Sequence, residues 1–212
     1  MSKTTSTTTS TTTGTMHTSV EIKPVSGEGA GSGSLAVAAT KNVLEQCAEL
    51  LGTMSDSVYA APSQVLPAGT IGKHMRHILD HFAAVLLSPG LDSVLTGAPI
   101  DYDQRNRNTP DETMRSAAIG RIHACCRELG SLGAGSDDRP VTVRMMMAAD
   151  GTNATMKTTL GRELAFAAHH AQHHLAMIAA IAREQGATVP CGLGKAPSTL
   201  NFERTCGGSA GQ

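Results

Sequence analysis

Aromatic residues are scarce in this chain of 212 residues, which has no tryptophan, two tyrosines and three phenylalanines. A core built from large aromatic rings is therefore excluded. Hydrophobic residues nevertheless make up 40% of the chain, and ten of its residues are methionine. We expect a core of alanine, leucine, isoleucine, valine and methionine, a composition that suits closely packed helices.

An excess of charge of one sign is also lacking, because 17 basic and 18 acidic residues leave a formal net charge of -1. This balance gives no electrostatic reason to expect a nucleic-acid partner. No apolar run approaches the roughly 20 residues that span a bilayer, and the N-terminus lacks the basic start and apolar segment of a secretory signal. We therefore expect a soluble protein without a membrane partner.

The five cysteines show no regular spacing and no CxxC motif. Their pattern argues against a disulfide framework and favours a reducing interior, so the cytoplasm is the expected location. The Ser/Thr-rich start leaves organellar import open, although the first 30 residues contain no arginine and only two lysines.

Three segments of the chain differ in composition. Residues 1–34 are Thr/Ser repeats followed by Gly-rich sequence, which buries too little apolar surface to offset its ordering entropy, so a disordered leader is predicted. Residues 35–200 carry the periodic apolar pattern of a folded domain. Residues 201–212 are predicted to be a flexible tail.

Four helices are predicted, at about 35–58, 71–87, 110–132 and 160–185, from apolar residues at three- and four-residue steps. A capping box from Thr109 to Glu112 predicts the start of the third helix. Alternation over 141–147 and the turn residues Asp150 and Gly151 predict a β-hairpin. The expected fold is an all-α four-helix bundle with long crossover connections and a small β-hairpin before the last helix.

Histidines are concentrated in two of these helices, which hold seven of the nine in the chain. The second helix contains His74, His77 and His81, and the fourth contains four histidines within residues 169–174. Imidazole is the commonest protein ligand for metals such as zinc, nickel and iron. The two clusters therefore predict a metal site inside a helical bundle.

Helical geometry orders the histidines of the fourth helix. At 100° per residue, His170 and His174 share a stripe with buried positions and form a bidentate pair, whereas His173 lies to the side and His169 farther out. A site with an open coordination position needs one more donor from a facing helix. A water bound at such a site has its pKa lowered from about 15.7 to ~7.

The second helix offers His77 as the central candidate for that donor, with His74 and His81 as alternates beside the apolar stripe; His173 is a further alternate ligand. A single helical histidine is more often a surface or hydrogen-bonded residue. Two clusters beside buried stripes favour a metal, because each buried imidazole without a partner costs about 1 to 3 kcal/mol.

Three charged residues are candidates for supporting roles. Asp80 and Glu163 are candidate acceptors of imidazole N–H hydrogen bonds and candidate acid/base groups, and their alternative is an ordinary charge on a helix surface. Arg105 is a candidate for binding a carboxylate or phosphate of a substrate. It is equally suited to fixing the long connection through Asp101 and Asp103.

Four motifs occur in order along the chain: RHxxDH from Arg76, DYDxRxR from Asp101, HxxHH from His170 and APST from Ala196. Together they resemble an uncharacterised branch of the DinB-like superfamily, over residues 71–199. The resemblance implies a four-helix bundle with a divalent metal, commonly nickel, zinc or iron. Its ligands would be one histidine of the second helix and an HxxxH pair of the fourth, here His77, His170 and His174.

Two functional hypotheses follow from the residues and the resemblance. The first is a metal-dependent enzyme that activates water or a thiol, as a hydrolase or a thiol-dependent transferase acting on a small molecule, with Glu163, Asp80 and Arg105 assisting. The second is a non-catalytic metal-binding or interaction bundle. A homodimer is expected only because two-fold dimers are the commonest soluble oligomers.

Overall fold

The computed structural model describes residues 34–87, 89–104 and 106–207. Over these ranges the chain is mostly helical, with a small three-stranded sheet. Its α-helices are α1 Leu35–Gly52, α2 Asp56–Ala60, α3 Ile71–Leu86, α4 Leu91–Leu95, α5 Arg115–Gly130, α6 Leu160–Glu184 and α7 Pro197–Gly207. Apart from Ser34, the predicted leader lies outside the described residues.

Hydroxyl side chains cap three of the longer helices. The Oγ of Ser34 accepts a hydrogen bond from the backbone N–H of Val37 at 2.9 Å at the start of α1. Thr70 and Thr159 cap α3 and α6 in the same way. Each cap satisfies one backbone donor that has no partner within its helix, which fixes where these helices begin.

The four longer helices form the core. Helices α1 and α3 each pack against both α5 and α6. Their buried side chains are mostly aliphatic, among them Leu44, Ile78, Ile122 and Leu164, with Phe82 as a buried aromatic residue. Helix α6 approaches its neighbours through three buried alanines, Ala167, Ala168 and Ala171. The predicted core of small and aliphatic side chains is confirmed.

The first predicted helix, 35–58, is two helices in the structure. Helix α1 ends at Gly52, and Ser55 caps the short α2 through a hydrogen bond from the N–H of Val58. The break lets α2 bury Tyr59, whose hydroxyl donates to the carbonyl oxygen of Asp111. The apolar periodicity continues across the break, which is why it predicted one helix.

The predicted capping box at the third helix is wrong. Residues Pro110–Glu112 form one 3-10 turn without a side-chain cap, and α5 begins three residues later, after Met114. The Glu112 carboxylate accepts from the N–H of Asn108 at 3.0 Å and forms an ion pair with Arg76 at 3.0 Å. The Glu112 side chain therefore binds α3 and does not accept from the backbone N–H of Thr109, as a capping box requires.

The predicted β-hairpin is confirmed as strands β2 Pro140–Met146 and β3 Asn153–Thr159, which pair antiparallel. A third strand, β1 Ile100–Asp101, pairs in parallel with β2 and was not predicted. Residues 201–207, placed in the predicted tail, continue α7. No helix within the described ranges is long and apolar enough to cross a membrane.

Candidate metal centre

The histidines of α3 and α6 meet where these two helices pack together. Five imidazoles take part, those of His74, His77, His81, His170 and His174. Their neighbouring ring centroids lie between 4.0 Å, for His81 and His170, and 5.3 Å, for His74 and His174. Steps of three and four residues place these side chains one above another on each helix, so the two clusters share one interface.

One group of nitrogens is close enough for a single ion. Within the described part of the chain, His77, His81 and His170 each offer a ring nitrogen, and these nitrogens all lie within 4.8 Å of one another. The Nε2 atoms of His77 and His170 are 3.0 Å apart. The ring of His81 stacks on that of His170 at an interplanar angle of 26°. We call these three residues the His77 group.

The backbone fixes how His81 is oriented. Its Nδ1 lies 3.0 Å from the carbonyl oxygen of His77, one helical turn earlier. A carbonyl only accepts hydrogen bonds, so Nδ1 carries the proton and Nε2 holds the lone pair. Metal-binding histidines are commonly held this way, with the second ring nitrogen donating to a carbonyl.

A second pair of nitrogens faces each other beside this group. The Nδ1 atoms of His74 and His174 are 3.1 Å apart. Desolvation, followed by the neighbouring His170 and His74, lowers the pKa of His174 to about 3. Desolvation and His173 lower the pKa of His74 as well. Both rings are therefore neutral near pH 7, the form that binds metals.

The rings of the predicted ligands His77, His170 and His174 come together. The ring centroid of His174 lies 4.5 Å from that of His77 and 4.6 Å from that of His170. In the group of close nitrogens, His81, predicted as an alternate, takes the third place. His169 and His173 are exposed, in agreement with the helical geometry.

Glu163 acts on the site through a residue that the sequence analysis did not single out. Its fully buried carboxylate accepts from the hydroxyl of Tyr102 at 2.8 Å and from Arg162 at 2.9 Å. The Tyr102 ring stacks on His81 with centroids 5.2 Å apart. Burial, reinforced by Glu163, raises the pKa of Tyr102, so the phenol keeps the proton that it donates. Tyr102 follows β1 directly, which places it over the site.

Asp80 is a buried ion-pair residue that joins three elements. Its Oδ2 accepts from Arg76 on α3 at 2.7 Å, and its Oδ1 accepts from Arg121 on α5 at 2.8 Å. Arg121 also binds Asp111, in the 3-10 turn, at 2.7 Å. The alternative of a helix-surface charge is wrong for Asp80 and for Glu163, since both are buried. Arg105 lies outside the described residues.

A pocket of about 470 Å³ gives access to the histidines. Its lining includes His74, His77 and His174, together with the loop 66–69. Two basic residues, Lys73 and Arg76, also line it. The pocket thus opens onto the His74 and His174 pair and onto one member of the His77 group.

No protein-family model matches the chain, and no solved structure matches it. A stretch of 102 residues is 38% identical to FK506-binding protein 5 of the fungus Rhizopus delemar. The match covers 48% of this chain and 26% of the fungal protein, so the chain spans about a quarter of that relative's length.

Proposed function

We propose that this chain is a DinB-like four-helix bundle that binds a divalent metal ion through its histidines and uses the ion in an enzymatic reaction on a small molecule. The observation that carries the proposal is the convergence of the His77 group, with 3.0 Å between the Nε2 atoms of His77 and His170. The packing of each longer helix against two others supports the bundle, and the four ordered motifs support the DinB-like resemblance.

The donor set fits a divalent transition metal. Two nitrogens that each lie about 2.0–2.1 Å from a tetrahedral zinc ion are about 3.3 Å apart, and the His77 and His170 nitrogens are a few tenths of an ångström closer than this. Imidazoles suit zinc, nickel and iron. When bound, such an ion supplies Lewis acidity and lowers the pKa of a coordinated water or thiol toward neutrality.

The residues of the chain prepare the site in three ways. The carbonyl of His77 orients His81, and Tyr102 stacks on the same ring while Glu163 holds the phenol. The ring of Phe166 also packs against those of His81 and His170. The pocket supplies an approach through His77, which suits a site that keeps one position open for water or a thiol substrate.

Glu163 and Asp80 act in this proposal as positioning residues. Glu163 reaches the imidazoles through Tyr102, and Asp80 fixes α3 against α5. Arg105 keeps its predicted role of orienting an anionic substrate. The identity of the substrate, with thiols among the candidates, and assembly as a homodimer remain predictions.

The metal content of the purified full chain tests the proposal. We expect close to one tightly bound zinc, nickel or iron ion per chain by elemental analysis, and its loss in His170→Ala. The matched control is His169→Ala, because His169 is the exposed neighbour on the same helix. Retention of the ion in His170→Ala, with correct folding by circular dichroism, would remove His170 from the ligand set.

A non-catalytic metal-binding bundle is the second candidate, and the position of His174 favours it. Structural zinc is normally closed by four protein ligands, and the ring of His174 lies 4.5 Å from that of His77. Cobalt-loaded protein separates the two functions. An open site changes its visible spectrum when azide or a small thiol is added, whereas a site closed by His174 does not respond.

A further inference from the structure

We infer that His74 and His174 form a second divalent-cation site at the pocket, separate from the His77 group and weaker than it. The inference rests on the proposed metal centre only in that the two sites are neighbours on α3 and α6. It does not require the chain to be an enzyme. Two ions per chain would then bind in two classes of affinity.

The nitrogens of this pair point to their own centre. The His74 and His174 atoms that face each other are both Nδ1, 3.1 Å apart, whereas His77 and His170 face each other through Nε2. The nitrogens within 4.8 Å of one another belong to His77, His81 and His170 and do not include His174. On these distances the five imidazoles are assigned to two centres.

The distance within the pair fits shared coordination. A separation of 3.1 Å is close to the roughly 3.3 Å expected for two imidazole nitrogens on one tetrahedral zinc ion. A slight outward movement of either ring would reach the ideal separation.

The surroundings of the pair leave room for further ligands. His74 and His174 line the pocket of about 470 Å³, so water or a small anion can fill the remaining coordination positions. His173 is exposed, and its ring centroid lies 5.4 Å from that of His174. A third imidazole therefore lies beside the pair.

The charges around the pocket explain why this site is the weaker one. Lys73 and Arg76 line the same pocket, and a nearby positive charge opposes a bound cation. Arg76 is neutralised by its ion pairs with Asp80 and Glu112, which leaves Lys73 and the ion held by the neighbouring His77 group as the opposing charges. Two ordered imidazoles also bind less tightly than three. A carboxylate, phosphate or thiolate beside Lys73 would complete the ion's coordination and balance the charge.

The experiment counts ions on the full chain after chelator treatment. Increasing Zn²⁺ is added by equilibrium dialysis, and bound zinc is measured by elemental analysis. We expect two ions per chain in two affinity classes. His74→Ala should lose the weak class alone, and His81→Ala the tight class alone. His169→Ala, as the control, should keep both.

A stepwise Co²⁺ titration of the unmodified chain, followed by its visible spectrum, should show two phases without relying on any variant.

Three results would overturn the second site. A single ion that His81→Ala and His174→Ala abolish alike would mean one shared centre, which contradicts this inference and leaves the proposed metal centre intact. Two ions retained in His74→Ala would exclude His74 as a ligand. A chain that binds no zinc at all would overturn both the second site and the proposed function.

Discussion

At the scale of single residues, the side-chain rotamer decides which ring nitrogen each histidine offers. His81 turns Nε2 toward the site because its Nδ1 donates to the carbonyl of His77. His74 and His174 turn Nδ1 toward each other. Two histidines on the same face of one helix can therefore serve different centres, as we infer for His170 and His174.

Replacing Tyr102 tests the contact that holds Glu163. Tyr102→Phe removes a hydrogen bond to a fully buried carboxylate, and a buried charged acceptor that loses a partner costs about 2 to 3 kcal/mol. Tyr59→Phe is the matched control, because the Tyr59 hydroxyl donates to a neutral carbonyl, for which about 1 kcal/mol is expected. Urea unfolding measures both. An equal or larger loss in Tyr59→Phe would contradict the role given to Glu163.

The sequence predicted that the two histidine clusters meet, because steps of three and four residues align side chains on one helical face. It also placed His169 away from the buried stripe and His173 to the side, as an alternate ligand. It did not predict His81 in the closest group, since the choice between His81 and His174 depends on rotamers and on a carbonyl hydrogen bond. The role of Tyr102 was missed because β1, which precedes it, has only two residues. So short a strand shows no alternation of apolar and polar residues by which it could be recognised.

At the scale of secondary-structure elements, ion pairs hold α3, α5 and the 3-10 turn together. Asp80 is the residue shared by Arg76 and Arg121, and Arg121 continues the connection to Asp111. Because both carboxylate oxygens of Asp80 accept from arginines, we expect this network to set the position of the helix without contributing a donor to the ion.

Asp80→Ala separates a structural role from a catalytic one. The change leaves Arg76 and Arg121 without a shared partner in a buried region, and loss of one partner of a buried pair costs about 3 kcal/mol. We expect a loss of stability of this size in denaturant unfolding, with the zinc stoichiometry of the folded variant unchanged. Loss of zinc from folded Asp80→Ala would show that the carboxylate acts on the metal centre directly.

The closest approach between elements involves Gly72 of α3. A Cβ at this position would lie 1.9 Å from the carbonyl oxygen of Glu112, so Gly72→Ala must displace the 3-10 turn, at a cost of about 3 kcal/mol. Gly120→Ala on α5 is the control, because a Cβ there meets nothing within 4 Å. It should stabilise the protein by about 0.5–1 kcal/mol, since alanine favours a helix interior. Thermal unfolding of the pair should show shifts of opposite sign.

At the scale of the whole molecule, the packing of α3 against α6 joins parts of the chain that are nearly a hundred residues apart. The mostly helical fold and the hairpin could be predicted, because long periodic segments carry a strong signal. The parallel pairing of β1 with β2 could not, because it joins two residues to a distant strand. Helix α7 could not either, because its exposed residues show no apolar face.

Metal binding should stabilise the entire fold, because the donors come from two helices that unfolding would separate. For an ion that binds only the folded chain, the gain is about 2.7 kcal/mol when the free ion is at about 100 times its Kd. We expect chelator treatment to lower Tm and Zn²⁺ to restore it, with the same recovery in His169→Ala. A Tm that zinc leaves unchanged in the unmodified chain would show that the ion does not link α3 to α6.

The most direct test of the metal centre is anomalous scattering at the metal edge from crystals of the zinc-loaded chain. We predict a strong peak between α3 and α6, with Nε2 of His77 and Nε2 of His170 each about 2.0–2.1 Å from the ion. A peak elsewhere on the molecule, or none between these helices in crystals whose zinc content is confirmed, would contradict it.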